Sequence, residues 1–163
     1  MTAEELLESW TKDGTIDNLH VEEELRRIPN LHSKYLGYLT YENRKLRRIE
    51  KKKKALIQNR TEYYFGHLNP SATSDNRLET LRTQSKYPDT WEPFSLGLTR
   101  IDIERFTETA PDVLDIIEAY GEQKQIVDNL VYIMKEIANR NFHLRGIIDH
   151  RKFIEAVGGS FTP

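Results

Sequence analysis

The sequence predicts an all-α protein, and three observations carry that prediction. No run of strand period reaches any useful length. The proline-free stretch from Asn30 to Phe65 repeats its seam positions in steps of three and four. The last third of the chain carries apolar residues in two adjacent helical stripes.

Each element has its own signals. Thr2 is placed to cap a short helix ending near Lys12, with Ala3, Leu6, Leu7 and Trp10 on one side and Glu4 and Glu5 in the first turn. Asp13-Gly14 ends it. Asp17 is a candidate cap for a second helix bearing Leu19, Val21, Leu25 and Ile28. Pro29 is expected to disrupt or kink that helix near Arg27, because it lacks an N–H and crowds the preceding turn.

From Asn30 to Phe65 the seam reads Tyr35, Leu39, Glu42, Leu46, Ile49, Lys53, Leu56, Arg60 and Tyr63. Basic residues flank it on both sides, and so narrow a seam requires the helix to pack on something. Residues 67–98 are punctuated by Asn69-Pro70, Ser74-Asp75, Pro88, Pro93 and Gly97, which predicts a long loop or insertion tacked down by Trp91 and Phe94. At most a helical turn or two is expected around Arg77–Thr83.

Thr109 is the expected cap of a helix from about 110 to 139, with Pro111 in its first turn. One of its stripes is Val113, Ile117, Tyr120, Val127, Val131 and Met134; the other is Ile116, Ile126, Leu130, Ile133 and Ile137. Two stripes predict burial on two sides. Asn141 is the expected cap of a final helix to about Val157, ended by Gly158-Gly159. The organisation read from sequence is one helical domain over 1–163: N-terminal helices to residue 66, the insertion 67–98, and packing and assembly helices over 110–158.

Composition excludes several function classes. There is no cysteine, hence no disulfide framework or thiolate metal site. No run approaches the roughly 20 apolar residues of a membrane span. The acidic start, Met1-Thr-Ala-Glu-Glu, lacks the basic flank and apolar core of a secretory signal. A soluble cytoplasmic protein is expected. The histidines (20, 32, 67, 143, 150) have no metal-ligand spacing, and Glu22-Glu23-Glu24 suits a solvated helix face. No glycine-rich phosphate loop or nucleophile elbow accompanies Ser33 or Ser160. No catalytic residues, metal site or cofactor are predicted, and the chain is not expected to be an enzyme.

Charge is segregated. The formal net charge is −2, yet Asn43–Arg60 holds nine Lys/Arg against Glu50 alone. Residues 1–25 hold eight acids and one base; residues 102–128 hold eight acids and two bases. Eight cations fall within 44–54 (Arg44, Lys45, Arg47, Arg48, Lys51, Lys52, Lys53 and Lys54), with no relief expected from acids four residues away. Such a helix is expected to seek a polyanion. Arg60, Tyr63 and Tyr64 share a face at i, i+3 and i+4, which suits phosphate gripping by Arg60 and base stacking on the tyrosines of a single strand. The competing reading of Tyr63 is a core residue completing the seam.

Five short strings carry a resemblance: His32-Ser33-Lys34-Tyr35-Leu36, Leu46-Arg47-Arg48-Ile49-Glu50, Arg60-Thr61-Glu62-Tyr63-Tyr64-Phe65-Gly66, Ile137-Ala138-Asn139-Arg140-Asn141-Phe142 and Asp149-His150-Arg151-Lys152-Phe153. In order and spacing the chain resembles the UvsY family of recombination mediators of tailed bacteriophages, over roughly 13–66 and 110–158. The resemblance implies a non-enzymatic accessory factor in the infected bacterial cytoplasm. It would bind single-stranded DNA, assemble as a ring of six or seven subunits, and load a RecA-like phage recombinase onto DNA coated by single-strand-binding protein.

A basic Lys-X-Arg element ahead of the paired tyrosines contributes to DNA binding in that family. Here it reads Gln58-Asn59-Arg60, so the lysine is absent and Lys51–Lys54 are the candidates to replace its charge. The family's C-terminal assembly helix corresponds to Phe142–Val157. The expected subunit contact is Phe142, Leu144, Ile147, Ile148, Phe153, Ile154 and Val157. A reading of another class is a structural coiled-coil adaptor whose basic helix docks on an acidic protein surface.

Overall fold

The computed structural model describes residues 2–65, 91 and 98–158, and the described residues outside short turns are helical. The elements are α1 (Ala3–Gly14), α2 (Val21–Tyr64), α3 (Arg100–Thr109) and α4 (Pro111–Gly158). The all-α expectation holds. The expected helical turns near Arg77–Thr83 and the contact of Phe94 lie outside the described residues. Packing divides the chain into two compact units: residues 1–46 with 122–163, and residues 47–121.

α1 begins as its sequence predicts. Thr2 Oγ1 accepts from the Glu5 N–H at 3.1 Å while the Glu5 carboxylate accepts from the Thr2 N–H at 2.8 Å, so two orphan donors are satisfied reciprocally. Its far end is closed from a distance. Arg140, on α4, donates to the carbonyls of Gly14 and Thr15, both at 3.0 Å, and to the Glu24 carboxylate. Those two carbonyls are among the acceptors that a helix end leaves unpaired.

Asp17 does not cap α2. It accepts from the Leu19 N–H at 2.8 Å in a turn ahead of the helix, which starts at Val21 and leaves Leu19 80% exposed. Pro29 does not end the helix either; α2 runs through it to Tyr64. An interior proline costs about 3 kcal/mol. Buried anchors on both sides, Val21 and Glu24 before it and Leu31 and Tyr35 after it, offset that cost.

The core of the first unit is Leu6, Leu31, Tyr35, Ile126, Leu130, Ile133 and Ile137, with Ala3, Trp10, Ile28, Leu39 and Met134 packed against it. Tyr35 is fully buried, with Trp10 edge-on to its ring at 5.4 Å and its hydroxyl donating to Asp13 at 3.0 Å. Burial pushes the Asp13 carboxyl up. The hydrogen bonds from Lys34 (2.6 Å) and Tyr35 and the charges of Lys34 and Arg27 outweigh that, and hold it below the usual aspartate value.

The second unit contains a helix that the sequence reading missed. α3 opens on Thr99, whose hydroxyl accepts from the Asp102 N–H at 3.3 Å while the Asp102 carboxylate accepts back, the capping pattern legible in Thr99-Arg-Ile-Asp102. Thr109 is the last residue of α3, its hydroxyl donating to the Arg105 carbonyl; it is not the cap of α4. Ala110 alone separates the two helices, and Pro111 opens α4, where a missing N–H costs nothing.

α4 is one helix of 48 residues, so Asn141 caps nothing. Asn is only mildly unfavourable inside a helix, and neither proline nor glycine lies beside it to break the ladder. Only one of its two stripes is sealed. Ile126, Leu130, Ile133 and Ile137 are buried, as are Val113 and Val127, whereas Ile117 and Val131 stay exposed.

Candidate nucleic-acid interface

The seam of α2 is where periodicity places it. Tyr35, Glu42 and Tyr63 are buried, and Leu39, Leu46, Ile49, Lys53, Leu56 and Arg60 are partly buried. A seam fixed inward forces the intervening positions outward. In the first unit this exposes Arg44 and leaves Lys45 half-buried. In the second it exposes Arg47, Arg48, Lys51, Lys52 and Lys54.

The polar seam positions have defined partners. Glu42, 2% exposed, accepts from Gln123 at 2.8 Å and from Lys45 at 3.2 Å. Burying a carboxylate without such partners is costly. Lys53 lies over the Tyr120 ring at 3.8 Å, so this cation is used inside the second unit. Acids do relieve the basic run, contrary to the sequence expectation: Glu50 pairs with Lys54 four residues on at 2.8 Å, lowering the Glu50 pKa and raising that of Lys54. Arg44, Arg47, Arg48, Lys51 and Lys52 form no ion pair among the described residues. Within the basic run these five are the exposed cations without an acid partner among the described residues.

Arg60, Tyr63 and Tyr64 all have partners within the second unit. Arg60, with its side chain 13% exposed, forks onto Asp112 through Nε (3.0 Å to both oxygens) and Nη2 (2.8 Å). Its guanidinium lies 3.8 Å over the Trp91 ring. A bidentate, stacked arginine is held rigidly by two partners. Tyr63 is buried against Trp91 at 5.3 Å, the core role weighed for it, and Tyr64 packs on Tyr63 (5.2 Å) and Phe106 (5.8 Å). Trp91 makes the contact expected of it, through Arg60 and Tyr63 of α2. Gln58, where the family pattern has lysine, is exposed and donates to Glu62 at 3.0 Å.

The expected assembly face splits. Leu144 is fully buried in the first unit and is a core residue, not a surface contact. Ile147 and Ile148 are half-buried, and Phe142, Phe153, Ile154 and Val157 are 47–71% exposed. Among the described residues no group of three or more His, Cys, Asp or Glu could hold a metal, and no helix is long and apolar enough to cross a membrane.

Two kinds of likeness bear on this geometry. The model of the family described as "Recombination, repair and ssDNA binding protein UvsY" matches residues 9–157. The chain belongs to the UvsY family. Crystal structures of the recombination mediator UvsY of bacteriophage T4 share this UvsY fold. One lattice form gives a TM-score of 0.74 at 23% identity over 94% of this chain and 97% of that chain. A second gives 0.75 at 23% identity over 94% and 99%, and a third 0.72 at 22% over 91% and 98%. No curated protein matches at the level of sequence. As a UvsY-family member the chain has a role in recombination and single-stranded DNA binding.

Proposed function

We propose that this protein is a non-catalytic recombination mediator that binds single-stranded DNA through the exposed cations of α2. Arg44, Arg47, Arg48, Lys51 and Lys52 make the primary contacts, with Lys45 and Lys54 contributing from behind their acid partners. The observation that carries the reading is these five cations, turned outward by a buried seam and without an ion pair among the described residues. A strand of phosphates relieves their mutual repulsion and releases its own counterions.

Several copies of the chain assemble, as six or seven subunits by family resemblance, through the exposed apolar side chains Phe142, Phe153, Ile154 and Val157. Assembly multiplies a weak site by raising the effective concentration of each further groove. DNA held along such a set of sites binds single-strand-binding protein less tightly, and a RecA-like recombinase nucleates where that grip loosens. No bond is made or broken, no cofactor is used, and the work is done in the cytoplasm of the infected host.

Fluorescence anisotropy with a labelled oligonucleotide across a salt series tests this. Affinity should fall with a log–log slope of about −0.7 per phosphate neutralised. Alanine at Lys51 and Lys52 together should make that slope shallower by about 1.4. Salt-independent binding, or binding only to acidic proteins, overturns the reading and favours the adaptor.

A further inference from the structure

If the single-strand reading is right, bases as well as phosphates need a surface, and Tyr63 and Tyr64 are committed to packing among themselves, Trp91 and Phe106. We propose that the stacking platform is instead Tyr38 and Tyr41 of the first unit, with Gly37 as the bare floor beside them.

Successive helical residues advance by about 100°. On that spacing Lys34, Gly37, Tyr38, Tyr41, Arg44 and Lys45 fall within roughly a third of the circumference of α2. Between Arg26 and Ile49 the only acid is Glu42, which lies outside that arc and is buried. An arc of tyrosines and cations with no exposed carboxylate of its own complements a strand of bases and phosphates.

The rings are presented and braced. Tyr41 is 59% exposed and Tyr38 36%. Tyr38 stands edge-on to the buried Tyr35 at 5.7 Å, and Tyr35 in turn to Trp10 at 5.4 Å, so the core holds its orientation. Lys45 Nζ lies 4.6 Å from the centre of the Tyr41 ring, covering one face with a cation. The other arc cation at this level, Arg44, is exposed. Lys34 is held by Asp13 and supplies shape more than charge.

Gly37 fits the same placement, although Gly121 and Gly146 have equally open space at the Cβ position. Glycine inside a helix is less favourable than alanine by about 1 kcal/mol. A Cβ at Gly37 would meet nothing within 4 Å, so packing within the chain does not require the glycine. A bare backbone next to Tyr38 and one turn before Tyr41 is what close approach of a flat ring requires.

The test uses the full chain and two labelled strands of equal length, an oligothymidylate and an abasic oligonucleotide that keeps the phosphates. Tyr41→Leu should weaken oligothymidylate binding at least about 5-fold, the lower end of one lost stack, with the salt slope unchanged. Tyr41→Phe, which keeps the ring, should bind like the unmodified chain. Gly37→Leu should weaken binding in the same way. On the abasic strand the Tyr41→Leu and unmodified chains should be equal.

A Tyr41→Leu chain that binds oligothymidylate normally overturns the proposal and leaves the cationic reading standing. So does an equal defect on both strands, which together with a lower mass by light scattering would assign Tyr41 to a subunit contact. An unmodified chain that binds neither strand overturns the single-strand reading, and this proposal with it.

Discussion

Replacing Arg60 by alanine separates two accounts of the same residue. In sequence Arg60 is a phosphate-gripping cation; in the structure it is held by Asp112 and Trp91. Hydrogen bonds to a charged group contribute about 1.5–3 kcal/mol net, and the guanidinium over the indole adds roughly 1 kcal/mol. Asp112 is 32% exposed, so water recovers part of what the arginine gave it. The expected cost is therefore about 2–3 kcal/mol. For a chain of this size that lowers Tm by roughly 4–12 °C. The chain has two tryptophans, Trp10 and Trp91, one in each unit. Thermal melts followed by fluorescence in a Trp10→Phe background therefore report the second unit alone. Asp112→Asn should behave similarly, and the double variant should cost clearly less than the sum of the two. Below the transition, DNA affinity and its salt slope should stay close to those of the unmodified chain. An unchanged melt combined with a slope shallower by about 0.7 would refute this account and return Arg60 to the phosphates.

Three other perturbations test neighbouring parts. Arg140→Met leaves Glu24 (9% exposed) with only the half-exposed Arg27 at 3.4 Å and removes the donors closing α1, so a loss of about 3 kcal/mol is expected in urea unfolding; a loss under 1 kcal/mol would contradict it. Asp13 has a lowered pKa, so its stabilising contribution is complete above the ordinary value of 3.8 and disappears as pH falls through the lower folded value. Asp13→Asn should therefore be less stable than the unmodified chain at neutral pH, with the gap closing in acid; a gap independent of pH refutes the link. Phe153→Ser with Val157→Ser should reduce the assembled mass in light scattering while the first unit melts nearly as before, since these side chains are 65% and 47% exposed. An unchanged mass would remove this face from assembly.

Helical class, the register of the α2 seam and the outward position of the basic run were all legible in the residues. Each depends on local chemistry: a period of three and four, an absence of strand alternation, a reciprocal Thr2–Glu5 cap. Errors gathered where a local rule competed with distant packing. Pro29 and Asn141 signal helix ends, but buried anchors carry α2 past Pro29, and α4 meets no breaker at Asn141. The Thr99–Asp102 cap is legible in the sequence but stands at the edge of a long punctuated stretch.

Periodicity states which face of a helix a residue occupies, and it cannot state what covers that face. For that reason the seam positions of Arg60 and Tyr63 are legible in the sequence, whereas the Asp112 and Trp91 that cover them are not. Leu144 likewise lies on the apolar face of the last helical stretch, and the first unit buries it. The sequence by itself determined a helical chain with its cations facing outward. Tertiary structure decided which aromatic and basic side chains were spent on the interior and which stayed exposed, because burial depends on residues far apart in the chain.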